Sequence, residues 1–373
     1  MKATPSSVAI IAASVLLCGG AAEALVRVVA PQDARIQTPE MYQRDSILSY
    51  RLTPSHTGVF SNRVEYRTTV RTDERGLRIP AGAAGAAGAR ADARRVLMLG
   101  DSFVFGQGVD AEDALPLQIE QALAQRGDSV SVLNGGVVGY STVQELAWFD
   151  RIGGSLKPDV VIVGFFLGND LQDSRTSSLE RFVRGVITAP PSRWYSPATE
   201  WAYRHSELYD LVRKVPEAWA DRRRNGPNAV VTGYSRKYLP PDDSVYRQEI
   251  AITASALGGL ADHARGVGAR LFVVLIPEAI QVERARQGKL LRIATDSVHF
   301  DFDHPNHDVA RLLDSIGVGW LDLTPTLRAA AARGAALYYP IDGHWTRAGN
   351  TLAAQTIADA LVRHRLIPGS AVP

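Results

Sequence analysis

Four short segments carry side chains that could together perform acyl transfer. Ser102 lies in a Gly-Asp-Ser turn and offers a hydroxyl nucleophile, while the glycines of the segment 134–142 and Asn169 could supply a backbone NH and a side-chain amide. Asp342 and His344 lie two residues apart near the carboxyl end and could form an orienting acid and a general base. Each segment alone is a common turn. In combination, they are the parts of a serine hydrolase.

Three of these segments directly follow short apolar runs, which must position them. Five such runs predict strands that are buried on both faces: 95–100, 129–135, 159–167, 269–276 and 317–323. Helix-compatible stretches alternate with these runs: 114–125, 142–152, 244–267, 307–316 and 346–365. This alternation predicts an α/β fold with a parallel sheet of about five strands and helices on both faces. In such a sheet, ligands bind at the carboxyl ends of the strands.

The chain resembles the SGNH hydrolases, also called the GDSL lipase/esterase family, in four sequence blocks. Ser102 matches the nucleophile block, Gly139 the glycine block and Asn169 the asparagine block. His344 matches the histidine block, and Asp342 is the acid that precedes it. The resemblance covers about residues 95–170 and 337–364.

The resemblance implies a flavodoxin-like three-layer α/β/α fold and an acyl-enzyme mechanism. Ser102 would attack an ester carbonyl, His344 would act as general base and then as general acid, and Asp342 would orient the imidazole. The backbone NH groups of Ser102 and Gly139, with the side-chain NH2 of Asn169, would form the oxyanion hole. No metal or organic cofactor is implied.

The spacing of the acid and the base departs from the pattern of many members of the family. Those members have Asp-x-x-His, whereas this chain has Asp342-Gly343-His344. The Asp-x-His-Trp form resembles the polysaccharide O-acetylation branch of the superfamily, although in that branch the pair precedes the serine. Asp301 and Asp303 therefore stay open as alternative orienting acids.

The stretch 299–307 is rich in metal-ligand residue types. It contains His299, His304 and His307 beside Asp301 and Asp303, which by composition could suggest a metal site. Pro305 and the loop-type spacing favour a solvated connection instead. The serine chemistry needs no metal, so we predict none.

Composition excludes several classes of protein. The 373 residues include 41 basic and 39 acidic side chains, for a formal charge of +2, which leaves no electrostatic basis for binding nucleic acid. Cys18 is the sole cysteine, so an internal disulfide framework and a cysteine-based zinc site are excluded. With 46% hydrophobic residues, most of the chain should fold around a core.

The amino-terminal 30 residues have the layout of an export signal, because Lys2 precedes an apolar run from Val8 to Ala22. Two interpretations stay open: a signal peptide cleaved after the triplet 22–24, or an uncleaved signal anchor. Lipidation at Cys18 is disfavoured because Leu17 is larger than lipoprotein processing usually accepts. Both main interpretations predict an extracytoplasmic location, either periplasmic, secreted or anchored in the inner membrane.

We predict three parts along the chain. Residues 1–30 form the signal segment, 31–94 a polar extension and linker with short edge strands, and 95–373 the SGNH hydrolase domain. Residues 171–243 interrupt that domain with an aromatic and arginine-rich insertion that is longer than an ordinary loop. The insertion is either a substrate-binding lid or a structural addition at the sheet edge.

The leading functional hypothesis is a serine hydrolase that cleaves a carboxylic ester of a lipid, a short acyl group or an acetylated carbohydrate. One alternative is an O-acyltransferase that uses the same residues to modify an envelope polysaccharide. A second alternative is a non-catalytic envelope binding protein. The expected partner is thus an ester or an acylated glycan.

Overall fold

The computed structural model describes residues 5–32, 36–38, 40–83, 93–175, 182–183, 186–187, 197–225, 236–239, 244–294 and 299–367. The strands are β1 (Ile36–Gln37), β2 (Tyr42–Asp45), β3 (Ser49–Leu52), β4 (Thr57–Ser61), β5 (Arg67–Thr72), β6 (Arg78–Ile79), β7 (Arg94–Gly100), β8 (Val130–Asn134), β9 (Val160–Phe166), β10 (Phe182–Val183), β11 (Val186–Ile187), β12 (Arg270–Ile276) and β13 (Gly319–Asp322).

The α-helices alternate with the later strands, as the sequence pattern predicts. They are α1 (Pro5–Val29), α2 (Ser102–Phe105), α3 (Leu115–Ala124), α4 (Thr142–Arg151), α5 (Asp170–Arg175), α6 (Pro197–His205), α7 (Glu207–Asn225), α8 (Ser244–Gly266), α9 (Ala279–Val282), α10 (Arg284–Ile293), α11 (His304–Ser315), α12 (Thr324–Ala332) and α13 (Arg347–Arg363).

A nine-stranded sheet organises the molecule in the order β1-β4-β5-β6-β8-β7-β9-β12-β13. The five strands at one side, β8-β7-β9-β12-β13, pair in parallel and correspond to the five predicted apolar runs. Numbered along the chain, their order is 2-1-3-4-5, the flavodoxin-like arrangement. The predicted α/β fold class is confirmed.

Alternate residues of each parallel strand point to opposite faces of the sheet, and both faces are apolar. Helices cover both faces and bury these residues. Leu97, Val163 and Leu275 belong to one core cluster, which the buried faces of α4, α8 and α11 complete. Their neighbours, such as Val96 and Val274, belong to a second cluster that is completed by α3, α12 and α13. The result is three layers, with the sheet in the middle.

The polar extension that precedes β7 is part of this sheet. β4 and β5 pair antiparallel over residues 57–61 and 67–71, and β6 joins them to β8 through the pair Arg78 and Asn134. We predicted short edge strands here but not that they would continue the central sheet. Residues 84–92, within the predicted extension and linker 31–94, lie outside the described residues.

The predicted insertion is described in part. Its described helices are α5, α6 and α7, with exposed indole rings at Trp201 and Trp219. Trp194, Tyr195 and Tyr234, which contributed to its aromatic character, lie outside the described residues. The boundaries of the predicted parts therefore stay a prediction.

α1 is a 25-residue apolar helix whose most apolar window is fully exposed. Among the described residues it is the single helix long and apolar enough to cross a membrane. This property fits either a signal peptide or an anchor.

Candidate active site

Ser102 is the first residue of α2, directly beyond the carboxyl end of β7. Asp101 caps this short helix by accepting a hydrogen bond from the backbone NH of Phe103 at 2.9 Å. The strand-to-helix turn needs glycine at position 100, because a Cβ there would lie 2.3 Å from Cγ2 of Val104. The turn thus presents the Ser102 hydroxyl at the end of the sheet where ligands bind in this fold.

His344 and Asp342 lie beside Ser102 and are aligned with it. The Oγ of Ser102 is 2.6 Å from Nε2 of His344, and Nδ1 of His344 donates a hydrogen bond to Oδ1 of Asp342. The side chain of Asp342 is fully buried, whereas that of His344 keeps 11% of its surface exposed. This arrangement has the connectivity of a nucleophile, a base and an orienting acid.

The short Asp-x-His spacing is accommodated by a turn and not by an extended segment. Gly343 has φ +83° and donates its NH to the carbonyl of Tyr339 at 3.1 Å, while Tyr339 donates to the carbonyl of His344 at 2.8 Å. The left-handed conformation at Gly343 lets the side chains of Asp342 and His344 meet across the turn.

Three residues far away in the sequence hold Asp342 in place. Its Oδ2 accepts hydrogen bonds from the Tyr66 hydroxyl at 2.8 Å and from Nε2 of Gln107 at 2.9 Å. The Glu65 carboxylate accepts the backbone NH groups of Ile341 and Asp342, both at 2.8 Å. Burial alone would raise the pKa of Asp342, but His344 and the hydrogen bonds from His344 and Tyr66 hold it well below its usual range.

Nothing in the sequence marked these supporting residues. Tyr66 and Glu65 fall in an alternating stretch that looked like an edge strand, and Gln107 lies between two glycines after the Ser102 turn. Their hydrogen bonds join residues that are 41 to 277 positions apart in the sequence. Contacts between residues so far apart leave no recognisable pattern in a single sequence.

Two of the three predicted oxyanion donors, Asn169 and Gly139, are placed differently. Asn169 follows β9 and lines the same cavity as Ser102 and His344. Its Nδ2 donates to Oδ2 of Asp173 at 2.8 Å, which leaves the second amide hydrogen for another acceptor. Gly139 is half-buried in the turn after β8 and does not line this cavity.

A cavity of about 860 Å³ opens beside Ser102 and has a basic lining. Besides Asp342, its acidic side chains are Glu249 and Glu278. Its basic side chains are more numerous: Arg175, Arg236, Lys237, Arg286 and Lys289. Lys289 is exposed and forms no ion pair with the described residues. The cavity therefore favours an anionic ligand.

Three carboxyl groups are buried behind Ser102. Burial raises the pKa of Asp101 to about 6 and that of Glu145 to about 8, and it raises the pKa of Asp170 well above its usual range. Neither oxygen of Glu145 has a hydrogen-bond partner among the described residues. Glu145 and Asp170 are therefore largely protonated at neutral pH, whereas Asp101 stays mostly ionised.

The alternative acids and the histidine-rich stretch lie elsewhere. Asp303 forms an ion pair with Arg328 at 2.7 Å, and Oδ1 of Asp301 accepts the backbone NH of Asp303 at 2.9 Å. His304 begins α11 and stacks on Tyr246. Within the described ranges, no group of three or more His, Cys, Asp or Glu residues is arranged to hold a metal ion.

One family model and several solved structures are similar to parts of the chain. Residues 234–371 match the model of a family described as an SGNH hydrolase-like domain, acetyltransferase AlgX. This range includes Asp342 and His344 but excludes the segments of Ser102, Gly139 and Asn169. No curated protein sequence matches the chain.

Among solved structures, the acetyl xylan esterase AlAXEase is 12% identical with a TM-score of 0.41, covering 72% of this chain and 99% of its own. TesA is 13% identical with a TM-score of 0.39, covering 72% and 98%. A lipase/acylhydrolase from Enterococcus faecalis is 14% identical with a TM-score of 0.39, covering 75% and 100%. Matches of this size do not identify a substrate.

The strand order, the serine at the end of the first parallel strand and the matched family model agree with one another. The carboxyl-terminal part of the chain, residues 234–371, is thus similar to an SGNH hydrolase-like domain.

Proposed function

We propose that this protein is a serine hydrolase that cleaves a carboxylic ester through an acyl-enzyme on Ser102. The observation that carries the proposal is the hydrogen-bonded series from Ser102 Oγ through the His344 ring to the buried Asp342 carboxylate. The series opens onto a cavity large enough for an acyl group and its alcohol.

The proposed reaction has two halves. Ser102 Oγ attacks the ester carbonyl while Nε2 of His344 takes its proton, and His344 then returns that proton to the departing alkoxide. Water attacks the resulting acyl-enzyme in the same way and releases the acid. Asp342 stays ionised and stabilises the protonated imidazole.

The backbone NH of Ser102 and the amide of Asn169 would stabilise the oxyanion in both halves, with Gly139 as the third proposed donor. Gly139 would have to approach the cavity for this role, since its turn lies outside the lining. Each such donor contributes roughly 2.7 to 4 kcal/mol in the transition state.

The decisive test is Ser102→Ala with p-nitrophenyl acetate and butyrate as substrates. We expect kcat/KM to fall by at least about a thousandfold, because the nucleophile is lost. Ser155→Ala, at an exposed serine, is the matched control and should keep full activity. A fluorophosphonate should label the parent chain at Ser102. Undiminished hydrolysis by the Ser102 variant would refute the assignment.

A second candidate function is O-acyl transfer to a glycan of the cell envelope. The basic cavity lining supports an anionic acceptor, and the matched family model is described as an acetyltransferase. The test supplies an acetyl ester with an acidic or a neutral oligosaccharide and compares acetylated glycan with free acetate. Transfer that outruns hydrolysis favours this candidate, and acetate alone favours the hydrolase.

The proposed location is extracytoplasmic, with residues 95–373 as a single domain interrupted by 171–243. The charged start and the apolar α1 support export. A reporter enzyme that matures outside the cytoplasm, fused at the carboxyl end, should be active. An inactive reporter would exclude this location.

A further inference from the structure

The carboxyl-terminal turns of α1 are bound to the described part of the insertion. The Glu23 carboxylate accepts the backbone NH groups of Glu207 and Leu208, each at 2.9 Å, and the Ser206 hydroxyl at 2.8 Å. Arg27 donates to the carbonyl of His205 at 2.9 Å. These are directed polar contacts between segments about 180 residues apart.

Glu23 acts as a helix cap supplied from another helix. Glu207 and Leu208 begin α7, so their NH groups have no acceptor within that helix. Ser206 caps the next NH, that of Tyr209, at 2.9 Å, and thus leaves the first two to Glu23. A carboxylate at the start of a 19-residue helix is also stabilised by the helix dipole.

The contacts continue beyond Arg27. The Glu207 carboxylate accepts the backbone NH of Gln32 at 2.5 Å, and Lys214 donates to Oε1 of Gln32 at 2.9 Å. Arg63, from the extension of the central sheet, lies 3.6 Å from the same Glu207 carboxylate. The end of α1, the start of α7 and the sheet are thus held together.

These contacts conflict with removal of α1 as a signal peptide. Cleavage after Ala24, at the small-x-small triplet, would remove Glu23 and leave two NH groups at the start of α7 without their acceptor. A signal peptide that is removed after export does not stabilise the mature folded domain.

The apolar part of α1 matches a bilayer in length. From Pro5 to Ala22 the helix would rise about 27 Å, close to the thickness of a hydrocarbon core. Glu23 and Arg27 therefore mark the level of the membrane surface. Trp201 is 63% exposed and stacks on His205, and the His205 carbonyl accepts a hydrogen bond from Arg27. Indole rings are favoured at a membrane surface.

We propose that α1 is retained as a membrane anchor, and that Glu23 locks its outer end to the start of α7. The partner is a lipid bilayer, and the lock holds the folded domain against its surface. This inference does not depend on the reaction at Ser102.

The first test asks whether α1 is retained. The full chain, tagged at its carboxyl end, is expressed in a bacterial host, and its membranes are washed with alkaline carbonate. We expect the protein to stay in the membrane fraction and its intact mass to include residues 1–24. A soluble protein that begins at Leu25, or one that begins at a lipidated Cys18, would overturn the proposal.

The second test asks whether Glu23 is the lock. Hydrogen exchange of the full chain in detergent micelles is compared for Glu23→Gln and for Glu74→Gln, an exposed control. We expect the variant at Glu23 to speed exchange in residues 206–212 roughly tenfold, the size of a lost helix cap. The control should leave that segment unchanged. Equal exchange in the two variants would refute the lock.

Discussion

At the residue scale, the candidate site depends on how Asp342 is held as much as on the three aligned residues. Gly343 adopts a left-handed conformation, which lets Asp342 and His344 meet although only one residue separates them. Tyr66 and Gln107, from outside that turn, donate hydrogen bonds to the Asp342 carboxylate. Asp342 is fully buried, so its orientation depends on these neighbours and not on solvent.

Tyr66→Phe should weaken catalysis without removing a reacting group. Loss of one hydrogen bond to Asp342 should lower kcat roughly two- to tenfold with little change in KM. Tyr339→Phe is the control, since its hydroxyl bonds to Gly108. Equal kcat values for the two variants would contradict the role of Tyr66.

The buried Glu145 makes a separate prediction about stability. Its folded pKa, about 8, lies above that of an unfolded glutamate, so its stabilising contribution is complete in acid and is lost as the pH rises from about 5 to 8. A glutamine at position 145 cannot ionise. Glu145→Gln should therefore reduce the fall in the free energy of unfolding between pH 5 and pH 8 by at least about 1 kcal/mol.

The measurement is the free energy of unfolding of the full chain, from urea titrations in detergent micelles at pH 5 and pH 8. Glu74→Gln, at an exposed position, should retain the decline of the parent chain. If Glu145→Gln declines as steeply as that control, the carboxyl group is not the source of the pH dependence.

At the element scale, the extension before the parallel strands supports the turn that carries Ser102. Arg78 in β6 is buried and donates to three carbonyl groups that follow Ser102: those of Phe105 at 2.6 Å, Gly106 at 2.8 Å and Val109 at 2.7 Å. Its guanidinium also lies over the Phe105 ring. Burial lowers the pKa of Arg78 to about 10, so the cation persists at neutral pH.

Arg78→Met keeps the length of the side chain but leaves the three carbonyl groups without their donor. We expect the free energy of unfolding to fall by about 2 to 4 kcal/mol, together with a loss of activity. Arg71→Met, in the adjacent β5 and exposed, is the matched control and should change stability by less than about 0.5 kcal/mol. Similar stability of the two variants would mean that Arg78 does not support the turn.

Much of the element pattern was predictable from sequence. Five runs of consecutive apolar residues predicted the parallel strands, since a strand covered on both faces leaves no place for polar side chains. β1, β4, β5 and β6 were harder to place, because their partners are remote and their alternating pattern fits any half-exposed strand. α12 also escaped prediction, because Thr324–Ala332 is alanine-rich and lacks a distinct polar face.

At the scale of the whole molecule, the cavity is lined both by residues at the carboxyl ends of the parallel strands and by residues of the insertion. Arg175 and Lys237 come from the predicted insertion, whereas Lys289 comes from α10 beyond β12. Arg175 pairs with Glu249, Lys237 with Glu278 and Arg286 with Glu283. Lys289 is exposed and forms no ion pair with the described residues, so it is one cation that is available to a charged substrate.

Lys289→Gln should therefore discriminate between substrates. We expect kcat/KM for a negatively charged ester, such as p-nitrophenyl hemisuccinate, to fall roughly two- to fivefold, while p-nitrophenyl butyrate is hydrolysed as before. Lys157→Gln, at an exposed lysine outside the cavity, should change neither. Equal losses on both esters would indicate a general disturbance and not charge recognition.

The sequence by itself determined the α/β class, the five parallel strands and the residue types of the site, because local patterning and short motifs carry that information. Only the tertiary structure decided that Asp342 and not Asp301 or Asp303 lies against His344, and that Tyr66 and Arg78 support the site. It also brought Glu23 to the start of α7. These contacts join residues that are remote in the chain, and their free energy depends on distance and burial, which no single segment encodes.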